Sequence, residues 1–149
     1  DFILKEGEKC DFIAFIQEGI FSFYNFHEGE EKITAFFFSG EFASNYRSFL
    51  TKSPSKHYIE ALQDSIIYKI KLEKLIKLYD KHNSIERLGR LIAENLYLGV
   101  ANRLDSFMFD SPAIRYQDLL NRNSKLISEI SQSAKVHLTP KLNILGWIG

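Results

Sequence analysis

The side chains in this chain with the capacity for chemistry are few, and their spacing limits what each can do. The histidines His27, His57, His82 and His137 are scattered. Zinc and related metals take His and Cys ligands at short fixed intervals, so no metal site is expected. Cys10 is the one cysteine. It has no partner for an intrachain disulfide, it cannot supply the several thiolates of a cluster, and an ordinary, partly exposed thiol is expected. The carboxylates of Glu28, Glu30, Glu31 and Asp64 stand where turns and strand ends fall. Solvated charges belong there, and without a Ser/His/Asp or Cys/His signature no catalytic residue and no enzyme are expected. Lys69, Lys71, Lys74, Lys77 and Lys81 form a basic series interleaved with Glu73 and Asp80, read as a solvated face rather than a phosphate track. Phe36, Phe37 and Phe38 could line a ligand cavity, but in a small sheet protein they are expected in the core.

The elements that would position these groups change character along the chain. Phe12 to Gln17, Ile20 to Phe26 and Lys32 to Phe38 are rich in Phe, Ile and Tyr and are separated by Glu18-Gly19 and by His27-Glu28-Gly29-Glu30. Such runs predict hairpins. Phe21 and Phe23 alternate with Ser22 and Asn25, predicting one buried face, although Tyr24 and Phe26 blur the alternation. Tyr58 to Ala61 and Ser65 to Ile70 add two further strands. Short strands at this spacing, with glycine at the turns, indicate an antiparallel roll.

After Ile70 the period becomes helical, with Leu72, Leu75, Ile76 and Tyr79 recurring through Lys81. Ile85 to Phe109 is a second helical run without proline, with Gly89 and Gly99 as its weak points. At a rise of 1.5 Å per residue it would be about 37 Å long. Leu88, Ile92, Leu96, Val100 and Leu104 make one stripe, and Leu91 and Leu98 lie on another face. A helix apolar on two sides needs two partners, and one roll covers only one of them, so a second copy of the chain is expected along Leu88, Ile92, Leu96 and Val100. Ser111-Pro112 resembles a cap followed by a first-turn proline, predicting a helix to about Leu120 that Asn121-Arg122-Asn123-Ser124 breaks.

The chain has 149 residues, with Lys plus Arg and Asp plus Glu both at 19. No global field therefore draws it to nucleic acid or an anionic membrane, and binding of that kind must be local. From Arg122 onward, Arg122, Lys125, Lys135 and Lys141 face Glu129 alone, so positive charge gathers at the C-terminal end. No apolar run approaches the roughly 20 residues of a membrane span. No membrane association, a cytoplasmic location and no cofactor are expected.

Several segments, in order, resemble one family. Gly7-Glu8-Lys9-Cys10-Asp11-Phe12-Ile13-Ala14-Phe15-Ile16-Gln17-Glu18-Gly19 resembles the opening of the cyclic-nucleotide-binding fold, a Gly-Glu turn leading into a strand that ends in glycine. Ser39-Gly40-Glu41-Phe42 resembles the entry to that family's phosphate-binding cassette, and Ser53-Pro54-Ser55-Lys56-His57-Tyr58-Ile59-Glu60-Ala61-Leu62 its end and following strand. Arg87-Leu88-Gly89-Arg90-Leu91-Ile92-Ala93-Glu94 and Asp118-Leu119-Leu120-Asn121-Arg122-Asn123 are similar to the dimer helix and linker of CRP/FNR-type transcription regulators. The resemblance implies an α+β protein in which an antiparallel, cyclic-nucleotide-binding-like β-roll (a double-stranded β-helix) at 1–83 is followed by a dimerisation helix at 84–110. A small helical C-terminal region at 111–149, partly like a helix-turn-helix, would complete it.

The resemblance also implies an effector pocket at Gly40, Glu41, Phe42, Ser44, Asn45, Ser55 and Lys56. The cassette uses helix amides and an Arg for the cyclic phosphate and a Glu for the ribose hydroxyl. Here Ser44-Asn45 stand where its Gly-Glu pair would, and Ser55-Lys56 near its Arg-Ser pair. Asn45 keeps hydrogen-bonding capacity and Lys56 offers a point charge without the bidentate fork, so an altered or empty pocket is expected, with cAMP binding weakly or not at all. Arg47, in the cassette helix, is expected in solvent. Ser131 to Leu138 resembles the first helix of a helix-turn-helix and Thr139-Pro140-Lys141-Leu142 the start of its recognition helix, making Lys135, Thr139 and Lys141 the candidate DNA contacts. The glycine-containing turn between such helices is absent. The expected function is a homodimeric CRP/FNR-like regulator with an unidentified small-molecule effector, binding DNA if its C-terminal region is complete. The alternative is a ligand-sensing or protein-interaction module without DNA binding.

Overall fold

The computed structural model describes residues 1–122, without the side chains of Tyr116, Leu119, Leu120 and Arg122. Among these residues the strands are β1 (Phe2–Leu4), β2 (Phe12–Glu18), β3 (Ile20–His27), β4 (Glu30–Phe38), β5 (Phe42–Ala43), β6 (Tyr58–Ala61) and β7 (Ile66–Lys71). The helices are α1 (Tyr46–Thr51), α2 (Leu72–Lys81), α3 (Asn83–Phe109) and α4 (Pro112–Arg122). Two antiparallel sheets, ordered β1-β6-β3-β4 and β5-β2-β7, form the roll, and the long helix follows it. The α+β architecture expected from the sequence is the one observed.

Local chemistry explains the hairpins. His27 pairs with Glu30 across a two-residue loop whose residues Glu28 and Gly29 both have positive φ, 54° and 80°. Two left-handed residues match the twist of the flanking strands, and Gly29 takes that conformation at no steric cost. Gly19 makes the other sharp turn at φ 125°, and a Cβ there would collide with Ser65. Only glycine fits a backbone this close to its neighbour.

The single buried face expected for β3 is corrected. Phe21 joins a cluster with Leu4, Phe12, Ala14, Ile16 and Ile59 on one side, while Ile20 and Tyr24 join Ile33 on the other, so both faces of this central strand are covered. Ser22, read as the solvent-facing alternate, is buried. A shift of register between Phe23 and Tyr24, where Ala35 and then Ile33 are the partners, bends the hairpin over this second cluster. Phe37 packs on the first cluster, and Phe36 and Phe38 pack on the second, each only partly buried.

A third cluster, Ile13, Phe49 and Leu75 with Tyr46, Leu72, Tyr79 and Ile85, seats α1, α2 and the start of α3 against β2. Gly89, read as a weak point, is where the Tyr79 ring lies, and any Cβ would overlap its hydroxyl. The glycine lets two helices approach closely. Beyond that contact α3 has no buried residue, and Leu88, Leu96, Val100 and Leu104 are exposed. Among the described residues no helix is long and apolar enough to cross a membrane.

Ser111 caps α4, its hydroxyl accepting from the Ile114 amide at 3.4 Å, and Pro112 occupies the first turn as the sequence predicts. The break expected at Asn121 is not there, since the helix continues through Arg122. Both residues tolerate a helix, and Gln117 reaches Asn121 one turn later at 3.4 Å on the exposed side.

Candidate effector site

The candidate pocket residues fall into two groups. Gly40, Glu41 and Phe42 fasten the β4–β5 turn to β2. The Gly40 amide donates to the Ile16 carbonyl at 2.8 Å, the Ile16 amide donates to the Glu41 carbonyl at 3.0 Å, and the Glu41 carboxylate accepts from the Phe38 amide at 2.9 Å. Phe42 packs its ring on Phe15, centroids 5.4 Å apart, and both rings are partly in solvent. These three residues shape the turn. Ser44, Asn45 and Ser55 come together around α1, and Lys56 points into solvent.

The polar groups around α1 form a closed network. Asn45 caps the helix, its Oδ1 accepting from the Ser48 amide at 3.2 Å while its Nδ2 donates to Ser55 Oγ at 2.7 Å. Ser55 Oγ donates to the His57 carbonyl at 2.7 Å and accepts from the His57 amide at 3.0 Å. One hydroxyl has one proton and two lone pairs, so Ser55 has no capacity left. Ser48 Oγ donates to the Ser53 carbonyl and accepts from the Cys10 amide at 3.0 Å. Ser44 Oγ donates to the Phe12 carbonyl at 2.9 Å. Asn45, Ser48 and Ser55 are all buried, where an unmatched polar group would be costly.

Cys10 corrects another expectation. It is 2% exposed rather than partly exposed. Its thiol donates to the Phe12 carbonyl at 3.5 Å and lies 3.4 Å from Ser44 Oγ, so it ties the first turn to the cassette segment from inside. Burial of this kind makes a thiol inert rather than reactive.

His57, read from sequence as one of four scattered histidines, and Phe23, read as a buried strand residue, stack on each other beside this network. Their rings stack with centroids 4.4 Å apart and planes 16° from parallel, and Phe37 lies 5.9 Å from Phe23. Burial holds the His57 imidazole below its ordinary pKa, and the charges of Arg47 and Lys56 push it the same way while Glu6 opposes them. Arg47 itself is exposed, as expected. The signal for Ser48 was present as Asn45 followed three residues later by a small hydroxyl residue, an ordinary helix start. Nothing local marks His57, because its ring partner is 34 residues away in sequence.

Replacing Asn45 with Ala should remove the cap and leave Ser55 short of a partner, lowering stability by about 1–3 kcal/mol. Denaturant unfolding measures this, and an unchanged midpoint would show that the network does not hold the cassette. Lys135, Thr139 and Lys141 lie outside the described residues.

An antiparallel roll, a short helix between β5 and β6, and a long helix packed by its first turns on α2 together define the fold. The sequence model of the cyclic nucleotide-binding domain family matches residues 1–82, and the chain belongs to that family. No curated protein sequence matches it. Among solved structures, FixK2 from Bradyrhizobium japonicum aligns with a TM-score of 0.71 at 15% identity, over 84% of this chain and 62% of its own. The catabolite activator protein of Thermus thermophilus aligns with a TM-score of 0.59 at 18% identity, over 98% of this chain and 76% of its own. CLP of Xanthomonas campestris, described as a c-di-GMP-responsive global regulator, gives 0.63 at 17% identity, over 81% and 61%. A protein from Eubacterium rectale described as a transcriptional regulator of the CRP/FNR family gives 0.65 at 17% identity, over 83% and 59%, and at such identities the likeness is one of fold. The chain spans about three fifths of the FixK2 and CLP chains.

Proposed function

We propose that this chain is the sensory and dimer-forming part of a cytoplasmic CRP/FNR-like transcription regulator that does not respond to cAMP. The observation that carries the reading is α3: 27 residues follow a cyclic nucleotide-binding roll, none of them is buried, and Leu88, Ile92, Leu96 and Val100 form its apolar stripe. A second copy supplies the missing cover, with the seam along those four residues. Residues 1–83 would then sense, 84–110 pair, and 111–149 belong to the DNA-reading region, with Lys135, Thr139 and Lys141 as contacts.

The polar network supports the second half of the reading. Ser55 has spent its hydrogen bonds on Asn45 and the His57 backbone, Asn45 is engaged with Ser48 and Ser55, and Ser44 is bonded to the Phe12 carbonyl, so a cyclic phosphate and ribose would have to break bonds already made. The exposed cations Arg47, in α1, and Lys56, next to Ser55, favour an anionic effector held by point charges. CLP is described as responding to c-di-GMP, so this fold accommodates effectors other than cAMP. A module without DNA binding is the second reading, favoured by the absence of a glycine turn between Ser131–Leu138 and Thr139–Leu142.

The test is selection from a random duplex pool at physiological salt. The 149 residues are expected to bind weakly and without sequence preference, with an affinity that collapses as salt rises. A C-terminally extended chain that enriches a palindrome with half-sites about 34–36 Å apart would support the regulator reading. If the dimer enriches nothing in either form, the regulator reading fails and the second one stands.

A further inference from the structure

We propose that His57 is a gate in the effector site, its imidazole taking on the Phe23 ring the place of the planar ring of a compact aromatic anion, the effector that displaces it. This role rests on the roll being an effector sensor and is independent of dimerisation and of DNA binding. His57 follows Ser55 and Lys56 at the close of the cassette and immediately precedes β6. Two neighbouring rings leave this point in opposite directions. The Tyr58 ring stacks on Tyr24 in the second cluster, whereas the His57 ring lies on Phe23, which packs with Phe37 against the cluster between the two sheets. Phe23, Phe37 and His57 are each only partly buried, so this wall is reached from solvent.

His57 is fixed by its backbone and not by its ring. Its amide and its carbonyl both bond Ser55 Oγ, at 3.0 and 2.7 Å. Among the described residues neither ring nitrogen hydrogen-bonds to the protein, so the imidazole is held by its stack on Phe23. Rotation of the side chain to another staggered position uncovers the Phe23 face without breaking a hydrogen bond. What replaces an imidazole on that face is another planar ring, because offset stacking is the contact a phenyl face favours. Charge sets the second requirement. Arg47 and Lys56 disfavour a cation at the imidazole and only Glu6 opposes them, so the same charges favour an anionic group on the incoming ring. A compact ring with its charge directed outward meets both requirements. The ribose and cyclic phosphate of cAMP do not, since they compete for the bonds that Asn45 and Ser55 have already made.

Proton NMR of the full chain tests the gate, with phenylacetate as the anionic probe and phenylacetamide as its uncharged match. The His57 ring protons, identified by their loss in His57→Ala, should be shifted upfield by the Phe23 ring and should return to the ordinary histidine position in Phe23→Leu. Saturating the parent with phenylacetate should move them to that same position, because the imidazole has left the stack. His57→Ala keeps the backbone bonds to Ser55 and should unfold cooperatively. It should bind phenylacetate about tenfold more tightly than the parent does and about tenfold more tightly than it binds phenylacetamide, and adding Arg47→Gln/Lys56→Gln should remove the preference for charge. His57→Leu, which refills the space, should bind neither probe. Absence of the upfield shift, no gain in binding by His57→Ala, or equal affinity for the amide would overturn the gate. So would phenylacetate binding that depends on Arg47 and Lys56 while the His57 protons stay upfield at saturation, a result that would leave the anion-sensing reading standing.

Discussion

Replacing Leu96 with Glu is expected to convert a dimer into a monomer at micromolar concentration, seen as a halved mass in sedimentation. Leu96 is 39% exposed in the protomer, and its stripe neighbours Leu88, Val100 and Leu104 are more exposed still. A carboxylate at this position is solvated in the free protomer, so the roll should keep its cooperative unfolding. In a symmetric pair the same carboxylate enters the seam twice, without a partner. An uncompensated buried charge costs on the order of 3–5 kcal/mol, about a hundredfold or more in the dimer constant. Glu94→Gln is the control, because Glu94 lies off the stripe of Leu88, Ile92, Leu96 and Val100, exposed and bonded to Arg90 one turn before it. It should leave the dimer intact. A parent protein that sediments as a monomer, or a Leu96→Glu protein that stays dimeric, would show that another surface forms the seam.

Titration of the protein with cAMP is expected to give no binding isotherm at micromolar concentration. By resemblance to the family's cassette, Ser55 with Lys56 and Ser44 with Asn45 stand where a guanidinium and a carboxylate would be expected. Loss of one charge-assisted hydrogen bond costs about 1.5–3 kcal/mol, so two such losses lower affinity about 10²–10⁴-fold. Asn45 and Ser55 are already engaged in hydrogen bonds. Asn45 bonds Ser48 and Ser55, and Ser55 bonds both backbone groups of His57, so entry of a ligand would break bonds already made in a buried place. Calorimetry showing a micromolar or tighter cAMP complex would overturn this expectation. Lys56→Ala would then show whether a flexible ammonium had taken over the phosphate.

Much of this protein was legible in its residues because the relevant forces are local. Gly19 and Gly29 mark turns that need positive φ, the alternation of Phe and Ile with polar residues marks strands, and the run from Ile85 to Phe109 without proline marks one long helix. The apolar stripe of α3 was readable for the same reason, since a period of 3.6 puts residues four apart on one face whatever surrounds them. The departures at Ser44, Asn45 and Ser55 were visible as residue types, although their consequence was not.

What the tertiary structure alone decided concerns which faces meet. Cys10 is buried because its amide finds Ser48, 38 residues on, and its thiol finds Ser44, 34 residues on. Ser22 and Tyr24 are buried because β3 is central in its sheet and has a cluster on each side, a property of strand order rather than of its own alternation. Gly89 changes from a weakness of α3 to the seat of Tyr79 only once α2 folds back on it. Periodicity specifies how a segment divides its own surface, whereas closure of the roll decides which groups are brought within hydrogen-bonding reach of one another.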